Sequence, residues 1–291
     1  MNYVLKNAEL TVTLSDLGAE MISVRRGTCE YVWQKDDTYW KDGQAPLLFP
    51  ICGRLIEGAY AYEGTRYEMA IHGFAKDSVF QVTHRSDCEI KFVLEADEAT
   101  KSSYPFDFSL SVIYRLEGDT LATEAVIRNR GSSVMPATFG AHPGFYVPLD
   151  GAGRFEDYWL EFSKPCSPDE VVMTPTCFLT GERKPFLLER GQCLPLRHSL
   201  FDIDAIFLAR VSDSVTLKSD KTPRSVTLTY PDMPYLGIWH MPRTDAPYVC
   251  IEPWCGLPDY NGKVGDIMQK SDMFRIPAGG EKTVSFAVAF Q

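Results

Sequence analysis

The chain has 291 residues, of which 45% are hydrophobic and 23% are charged, a composition typical of a globular protein whose core needs no disulfides or structural metal. Its formal net charge of −10 argues against nucleic-acid or anionic-membrane partners, because both call for clustered Lys and Arg side chains. No apolar run approaches the roughly 18 residues of a membrane span, and residues 1–10 carry no export signal, so we expect a cytoplasmic protein.

The recurring pattern along the chain is a two-residue alternation of apolar and polar side chains, which predicts half-buried β-strands. It is clearest at 106–116, where apolar side chains occupy nearly every second position. Turn-forming sequences such as Glu117-Gly118-Asp119 and Ala278-Gly279-Gly280 separate many of the runs. The predicted strands are 9–14, 21–25, 79–84, 89–95, 106–116, 121–128, 158–162, 214–218, 225–230 and 283–290.

Helical periodicity is almost absent, and the best helical candidate is a short turn at 265–270. The Pro-rich stretch 164–195 is predicted to be loop with embedded short strands. Many short strands without helical crossovers predict an all-β protein with antiparallel sheets in a sandwich or barrel. Because no repeat, low-complexity tract or linker divides the sequence, we expect residues 1–291 to form a single domain.

The eight cysteines are scattered and include no Cys-x-x-Cys pair, so we expect free thiols. They are Cys29, Cys52, Cys88, Cys166, Cys177, Cys193, Cys250 and Cys255.

Three regions break the alternation and gather residue types suited to chemistry: 46–55 with 70–74, 139–148 and 236–259. In the first, Gly73 follows His72 and lets the backbone pass close to a ligand. His142 lies among Pro and Gly residues that fix an irregular backbone. Glu252 ends an apolar strand and precedes a proline that ends the ladder, so we expect it to be partly buried. Burial raises the pKa of a carboxyl group, which would make Glu252 a base near neutral pH.

Other roles are also compatible with His72, His142 and Glu252. Each of the three also fits a plain structural role, which is how we interpret His84, His198 and His240. Two histidines and a glutamate could bind zinc, but their spacing is long and no His-Glu-x-x-His motif is present, so we predict no metal. Phosphate-binding glycine loops and Gly-x-Ser-x-Gly are absent, so we predict no nucleotide cofactor and no serine hydrolase of that kind.

Four segments in sequence order resemble the aldose 1-epimerase family, in particular its LacX-like branch. They are Leu-Phe-Pro-Ile-Cys-Gly-Arg-Leu at 48–55, Ile-His-Gly-Phe-Ala-Lys at 71–76, Gly-Ala-His-Pro-Gly-Phe at 140–145 and Cys-Ile-Glu-Pro-Trp at 250–254. Segments 104–108 and 204–207 fit the same pattern, so the resemblance covers about residues 10–290. It implies a large antiparallel β-sandwich of the galactose mutarotase-like supersandwich type, with a sugar bound in a cleft across one concave sheet.

The resemblance also implies an isomerase that interconverts the α and β anomers of a free hexose without a cofactor. Glu252 would be the base that removes the proton from the anomeric hydroxyl, and His142 the acid that protonates the ring oxygen. His72 would hydrogen-bond near the ring oxygen.

The same resemblance implies a set of sugar-binding residues. Arg54 would orient the sugar and help keep Glu252 ionised. Asp204 would accept hydrogen bonds from sugar hydroxyls, with Asp202 as the alternative two residues away on the same face of a strand. The aromatic side chains expected to stack on the sugar, or else to pack in the core, are Trp239 and Phe74.

Three positions depart from the best-studied galactose mutarotases, so galactose is not assumed as the substrate. Gly53 stands where those enzymes have Asn, Gly144 where they have an aromatic residue, and Lys76 where many relatives have Arg. One alternative is epimerisation of a hexose 6-phosphate, which would need basic residues at the cleft rim. Candidates for that role are Lys76, Arg183, Arg243 and Lys263.

A second alternative is a non-catalytic carbohydrate-binding protein. The presence of both His142 and Glu252 argues against it, because binding alone needs no acid facing a base. The expected partner is a small sugar, and the expected assembly is a monomer or a homodimer.

Overall fold

The computed structural model describes residues 1–291, and every predicted strand overlaps an observed one. The alternating run 106–116 becomes β10, in which buried and half-buried residues alternate. The strands are β1 Asn2–Lys6, β2 Thr11–Ser15, β3 Met21–Arg26, β4 Cys29–Glu30, β5 Leu47–Leu48, β6 Ala59–Tyr62, β7 Thr65–Glu68, β8 Gln81–Arg85, β9 Glu89–Glu95, β10 Phe108–Glu117, β11 Thr120–Asn129, β12 Met135–Ala137, β13 Gly140–Ala141, β14 Gly144–Tyr146, β15 Tyr158–Phe162, β16 Asp169–Met173, β17 Leu179–Pro185, β18 Cys193–Pro195, β19 Ile206–Ala209, β20 Ser214–Ser219, β21 Val226–Thr229, β22 Tyr235–Trp239, β23 Tyr248–Trp254, β24 Phe274–Ile276 and β25 Glu281–Phe290.

Two large sheets dominate the structure, and all ladders between named strands are antiparallel. The nine-stranded sheet has the order β18-β15-β20-β21-β25-β11-β10-β9-β8. The eight-stranded sheet has the order β17-β16-β19-β22-β23-β13-β5, with β14 paired to β23 off this path. Strands β1–β4 form a four-stranded sheet, and β6-β7 and β12-β24 form two small ones. The predicted antiparallel sandwich is confirmed.

The main core lies between the two large sheets. A cluster of 64 buried residues joins Leu110 and Val112 of β10 to Ile238 of β22 and to Val249 and Ile251 of β23. Because successive side chains of a strand point to opposite faces, the intervening residues of β22 and β23 point away from this core. That outer face of the eight-stranded sheet forms the floor of a large cavity.

Region 236–259 lacks alternation because its strands are covered on both faces. It contains β22 and β23, and every residue of β23 is buried, so both faces of the strand are covered. Strands covered on both faces lose the apolar–polar alternation. By contrast, 164–195 matches its prediction, with β16, β17 and β18 embedded in loop.

One α-helix, Glu98–Ser103, was not predicted. It is too short to show helical periodicity, but a capping box marks its start: the Thr100 amide donates to the Asp97 carboxylate (2.7 Å), and the Asp97 amide donates to the Thr100 hydroxyl (2.9 Å). None of the helices has the length and apolar composition needed to span a bilayer. The remaining helical turns are of the 3₁₀ type, Ile56–Gly58, Ala75–Asp77, Leu149–Gly151, Phe155–Asp157, His198–Phe201 and Ile267–Gln269, the last within the predicted turn 265–270.

Candidate active site

A cavity of about 1040 Å³ lies on the outer face of the eight-stranded sheet. It gathers residues from distant parts of the chain, including β16, β19, β22, β23 and the loops around them. Of the seven residues predicted to form the site, six line this cavity, namely Arg54, His72, His142, Asp204, Trp239 and Glu252.

Glu252 lines the cavity from the face of β23 opposite the core and is only 1% exposed. Its register partner on β22 is Gly237. A Cβ atom at Gly237 would lie 2.9 Å from a ring carbon of Phe207 and 3.2 Å from the Glu252 Cβ. The absence of a side chain at Gly237 therefore leaves room for Glu252 beside the aromatic ring.

The expectation that Pro253 ends the strand is wrong. The ladder continues through Pro253, which pairs with Leu236, to Trp254 at the end of β23. Glu252 is consequently held inside a paired strand and is fully rather than partly buried.

His142 sits between the short strands β13 and β14, with its backbone tied on both sides. Its amide donates to the carbonyl of Pro46 (3.0 Å), and the next carbonyl, of Pro143, accepts from the amide of Ile251 (3.1 Å). The second bond anchors the loop to β23, one residue from Glu252. The imidazole is thereby placed over the cavity floor.

His142 Nε2 lies 3.3 Å from Glu252 Oε1, and both side chains are buried. Burial lowers the pKa of His142 to about 4, although the negative charge of Asp204 opposes this shift. Burial also raises the pKa of Glu252 well above its ordinary value, and Asp204 adds to this shift. Both shifts therefore favour the uncharged forms of the two side chains.

His72 is fixed as a neutral hydrogen-bond donor. The amide of Gly53 donates to its Nδ1 (3.1 Å), so the ring proton resides on Nε2. Burial lowers the pKa of His72 well below its ordinary value, and the nearby charges of His142, Lys76 and Arg54 act in the same direction. The uncharged tautomer therefore persists at neutral pH.

The role expected for Gly73 requires correction. His72 and Gly73 both have positive φ, of 67° and 74°. A Cβ atom at Gly73 would overlap the main-chain carbonyl oxygen of Phe49. The glycine therefore allows the chain to approach another backbone segment, not a ligand.

The structure does not bring Arg54 into an ion pair with Glu252, although both line the cavity. The charge of Arg54 instead lowers the pKa of His72 and opposes the rise in that of Cys177. The expectation that Arg54 keeps Glu252 ionised is therefore wrong for this arrangement, because burial and Asp204 determine the Glu252 shift.

Asp202 and Asp204 both line the cavity but lie in the loop before β19, not on one face of a strand as expected. Only Asp204 is close enough to affect the pKa of both His142 and Glu252. One Asp204 oxygen accepts from the amide of Ala205 (2.8 Å). These contacts favour Asp204 over Asp202 as the carboxylate beside the acid–base pair.

Of the two predicted aromatic residues, one lies in the cavity and the other in the core. Trp239 lines the cavity, with its ring centroid 5.7 Å from that of His142. Phe74 does not line the cavity and packs 5.9 Å from Phe49 and 5.7 Å from Phe108. Phe74 therefore belongs to the core, because the left-handed turn at 72–73 directs the following residue inward.

The family follows from comparison with known proteins. A sequence model described as aldose 1-epimerase matches residues 1–261. The chain belongs to the aldose 1-epimerase family. This is a family of isomerases.

Two further comparisons agree with this assignment to the aldose 1-epimerase family. Protein LacX of Lactococcus lactis is 35% identical over 267 residues, which covers 88% of each chain. A galactose mutarotase related enzyme from Lactobacillus acidophilus has a TM-score of 0.95 at 31% identity, covering 100% of this chain and 97% of its own. A galactose mutarotase-like protein from Lactobacillus casei has a TM-score of 0.92 at 31% identity, covering all of both chains.

Sequence reasoning missed two residues in the cavity of this aldose 1-epimerase family member. Trp40 packs its ring 5.0 Å from that of His142 and 5.6 Å from that of Trp239. The Cys177 thiol donates to Asp204 (2.8 Å), and this hydrogen bond orients the carboxylate. A Trp in a polar loop, between Tyr39 and Lys41, was a usable signal for the first; no local signal marked the second.

Cys250 joins His142 and Glu252 in the one set of three metal-ligating side chains whose ligand atoms lie within 4.8 Å of one another. The long sequence spacing gave no hint of this cluster. However, burial and the charge of Glu252 raise the pKa of the Cys250 thiol well above its ordinary value. Because metal binding requires a thiolate, this environment opposes a metal at these residues.

Proposed function

We propose that the protein interconverts the α and β anomers of a free, uncharged aldose by acid–base catalysis. The observation that carries the proposal is the 3.3 Å approach of His142 Nε2 to Glu252 Oε1 on the floor of the cavity. Membership of the aldose 1-epimerase family supports it. Two adjacent buried groups, one able to accept a proton and the other able to donate one, suit a reaction that takes one proton and returns another.

In the proposed ring opening, Glu252 acts as a carboxylate and His142 as an imidazolium. Glu252 accepts the proton of the anomeric hydroxyl while the bond from the anomeric carbon to the ring oxygen breaks. His142 donates its proton to that ring oxygen, which leaves an open-chain aldehyde. Rotation about the first carbon–carbon bond and the reverse transfers close the ring on the other face. Each transfer contributes about 10²–10⁴-fold to the rate.

The shifted pKa values fit one stage of this cycle. After ring opening, Glu252 is protonated and His142 is neutral, which are the forms that burial favours. The site therefore stabilises the state that accompanies the open-chain sugar. Sugar binding must supply hydrogen bonds that stabilise the opposite arrangement, with the proton on His142.

Other cavity residues receive binding roles in this proposal. His72 offers Nε2–H as a donor to a sugar oxygen, and Asp204 accepts from a hydroxyl. Arg54 donates to sugar oxygens. The rings of Trp239 and Trp40 present apolar surface to the C–H face of the sugar.

The charges of the cavity favour a neutral substrate over a hexose phosphate. Of the basic side chains considered for phosphate, only Lys76 lines the cavity, and it already pairs with Asp77. Carboxyl groups outnumber basic groups there, which would repel a phosphate dianion. The acidic side chains are Asp42, Asp77, Glu170, Asp202, Asp204 and Glu252, and the basic ones are Arg54, Lys76 and Lys184.

Polarimetry of freshly dissolved α-D-glucose and α-D-galactose, with wild type and Glu252→Gln, tests the proposal. We expect the wild type to accelerate the approach to anomeric equilibrium for at least one sugar, and the variant to lose this effect. A wild-type protein that binds a sugar without accelerating its mutarotation would instead be a carbohydrate-binding protein.

We propose also that residues 1–291 form one domain. The 64-residue core cluster includes Leu5 of β1 and Phe290 of β25, and so joins the two ends of the chain. A single cooperative transition in urea, with the same midpoint by fluorescence and circular dichroism, is the expected result.

A further inference from the structure

We propose that Trp40 is a positioning residue for the reaction, because its indole ring holds the imidazole of His142 in place and shields it from water. This role rests on the proposed function, in which His142 is the acid. It goes beyond contact with the sugar, since Trp40 here acts on the acid itself. Trp40 lies in the segment between β4 and β5, distant from His142 in the sequence, and both residues line the cavity.

Trp40 lies at the edge of a small hydrophobic cluster beside the cavity. The buried members of the cluster are Trp33, Ala246, Tyr248 and Cys250, and the residues packed against them are Tyr39, Trp40, Tyr146 and Trp239. Because residues two apart along a strand share a face, Tyr248 and Cys250 lie on the same face of β23 as Glu252. The cluster therefore covers that face on one side of Glu252. The half-buried Trp40 forms its boundary with the cavity.

The ring of Trp40 packs against His142 directly. The two ring centroids are 5.0 Å apart, with 38° between the planes. Trp239 meets the Trp40 ring edge-on at 5.6 Å and lies 5.7 Å from His142. These distances are within the range in which aromatic rings attract each other. The imidazole is therefore held against two indole rings, and only 12% of its side chain is exposed.

Hydrogen bonds fix the segment that carries Trp40. The indole nitrogen of the buried Trp33 donates to the carbonyl of Trp40 (2.8 Å). The hydroxyl of the adjacent Tyr39 donates to the carboxylate of Asp245, in the loop between β22 and β23 (2.7 Å). Bonds to two separate parts of the chain therefore hold Trp40 beside His142.

Two glycines make room for the indole ring. A Cβ atom at Gly43 would lie 2.6 Å from a ring carbon of Trp40, and one at Gly144 would lie 3.1 Å from another. Neither glycine has a positive φ, so the freedom of the glycine backbone does not account for them. A side chain at either position would instead push the indole away from its place against His142.

Shielding by Trp40 affects the charge of His142. Burial lowers the pKa of His142 to about 4, and the charge of Asp204 opposes this shift. The other titratable groups around the imidazole or on the same cavity wall are Glu252, Cys250, His72 and, in the Trp40 segment, Asp42. All of these groups stay in place when Trp40 is shortened. A smaller side chain at position 40 therefore admits water and raises the pKa of His142.

NMR titration of the His142 imidazole tests the proposal, with its signals identified by their loss in His142→Asn. We expect Trp40→Ala to raise the pKa of His142 by about one unit or more. Trp40→Phe should raise it less, because a phenyl ring restores part of the cover. The control is Trp159→Ala, since Trp159 is a half-buried tryptophan of β15 that does not line the cavity, and it should leave the pKa unchanged. An unchanged pKa in Trp40→Ala, or an equal rise in the control, overturns the proposal.

Gly43→Ala tests the same contact without removing the indole ring. Its methyl group should displace the ring and so raise the pKa of His142. In a Trp40→Ala background the methyl group meets no ring, so Gly43→Ala should have no further effect. Additive effects of the two changes would overturn the explanation of Gly43 by Trp40.

Kinetics connect the packing to the reaction. In Trp40→Ala, the acid limb of the pH profile of kcat/KM should move upward by the shift that NMR measures, and an unmoved limb would overturn the role of Trp40 in the reaction. Unfolding midpoints verify that each variant is folded. If the wild type turns over no sugar, the proposed function fails, whereas the NMR comparison still decides whether Trp40 shields His142.

Discussion

Glu252 Oε1 lies 3.3 Å from His142 Nε2, yet the geometry leaves this buried oxygen without a hydrogen-bond partner in the protein. The indole nitrogen of Trp254, at the end of the same strand and also lining the cavity, is likewise unpaired. A buried polar atom without a partner costs about 1–3 kcal/mol. Under the proposed function, hydroxyl groups of the bound sugar are expected to supply these two partners.

The pH dependence of kcat/KM should be bell-shaped, because the pair must carry one proton. Below about pH 4, which is the pKa of His142, a second proton enters the pair and Glu252 can no longer act as a base. On the alkaline side, activity is lost when the pair loses its only proton, at a pH above the ordinary range of a carboxyl group, since the pKa of Glu252 is raised. Initial polarimetric rates between pH 3.5 and 10 measure both limbs. An acid limb near pH 6.5 would contradict the assignment of a buried, neutral His142.

Replacing the base or the acid should reduce kcat more than sugar binding. Glu252→Gln and His142→Asn are each expected to lower kcat by about 10²–10⁴-fold, since each removes one proton-transfer group. His72→Asn should be no more damaging than His142→Asn, because His72 donates a hydrogen bond without transferring a proton. Titration calorimetry of the Glu252→Gln variant should still detect sugar binding.

Matched controls are Glu281→Gln and His84→Asn, whose side chains are exposed and do not line the cavity. Wild-type rates in Glu252→Gln would refute its role as the base.

Activity should survive exhaustive chelation. The proposed proton transfers need no metal, and burial, which raises the pKa of the Cys250 thiol, opposes a metal at His142, Cys250 and Glu252. Loss of activity on chelation, restored by stoichiometric zinc, would instead make the metal part of the mechanism.

The sequence predicted features that depend on local pattern and missed those that depend on packing between distant segments. Alternation located the half-buried strands, and short motifs located His142 and Glu252. The apolar run before Glu252 was recognised as a strand, but its continuation through Pro253 to Trp254 was not, because burial on both faces removes the alternation that marks strand bounds. Phe74 was expected from the resemblance either to stack on the sugar or to pack in the core, and the left-handed turn at 72–73 directs it to the core. The Cys177 hydrogen bond to Asp204 joins two loops 27 residues apart, and no local rule predicts it.

Gly73→Ala should destabilise the protein more than an equivalent change at another left-handed glycine. Gly73 and Gly64 have similar φ values, of 74° and 78°, so alanine meets comparable backbone strain at both. A new Cβ overlaps the Phe49 carbonyl only at Gly73, whereas nothing lies within 4 Å at Gly64. We expect Gly64→Ala to lower the free energy of unfolding by about 1 kcal/mol, and Gly73→Ala to lower it by several kcal/mol more. Urea denaturation measures both changes. Equal costs would show that strain, not the close approach, selects glycine here.

Buried neutral histidines should make the free energy of unfolding fall as the pH is lowered. His240 is fully buried, its ring bonds to the Met241 carbonyl (2.8 Å) and to His198 (3.0 Å), and burial lowers its pKa to about 4. Between pH 6.5 and 4 the unfolded chain therefore binds a proton that the folded chain does not, so stability falls as the pH falls and is unaffected above pH 6.5. The expected slope is about 1.4 kcal/mol per pH unit for each such histidine.

His240→Leu tests this sign, because leucine does not titrate. The variant should be less stable at pH 7, where the bond to the Met241 carbonyl is lost, but its free energy of unfolding should fall less steeply between pH 6 and 4.5. Glu252, whose pKa is raised, contributes a slope of the opposite sign. That contribution is the same in both proteins and cancels in the comparison. Urea denaturation at several pH values measures both slopes, and parallel slopes would mean that His240 is already protonated in the folded protein at pH 6.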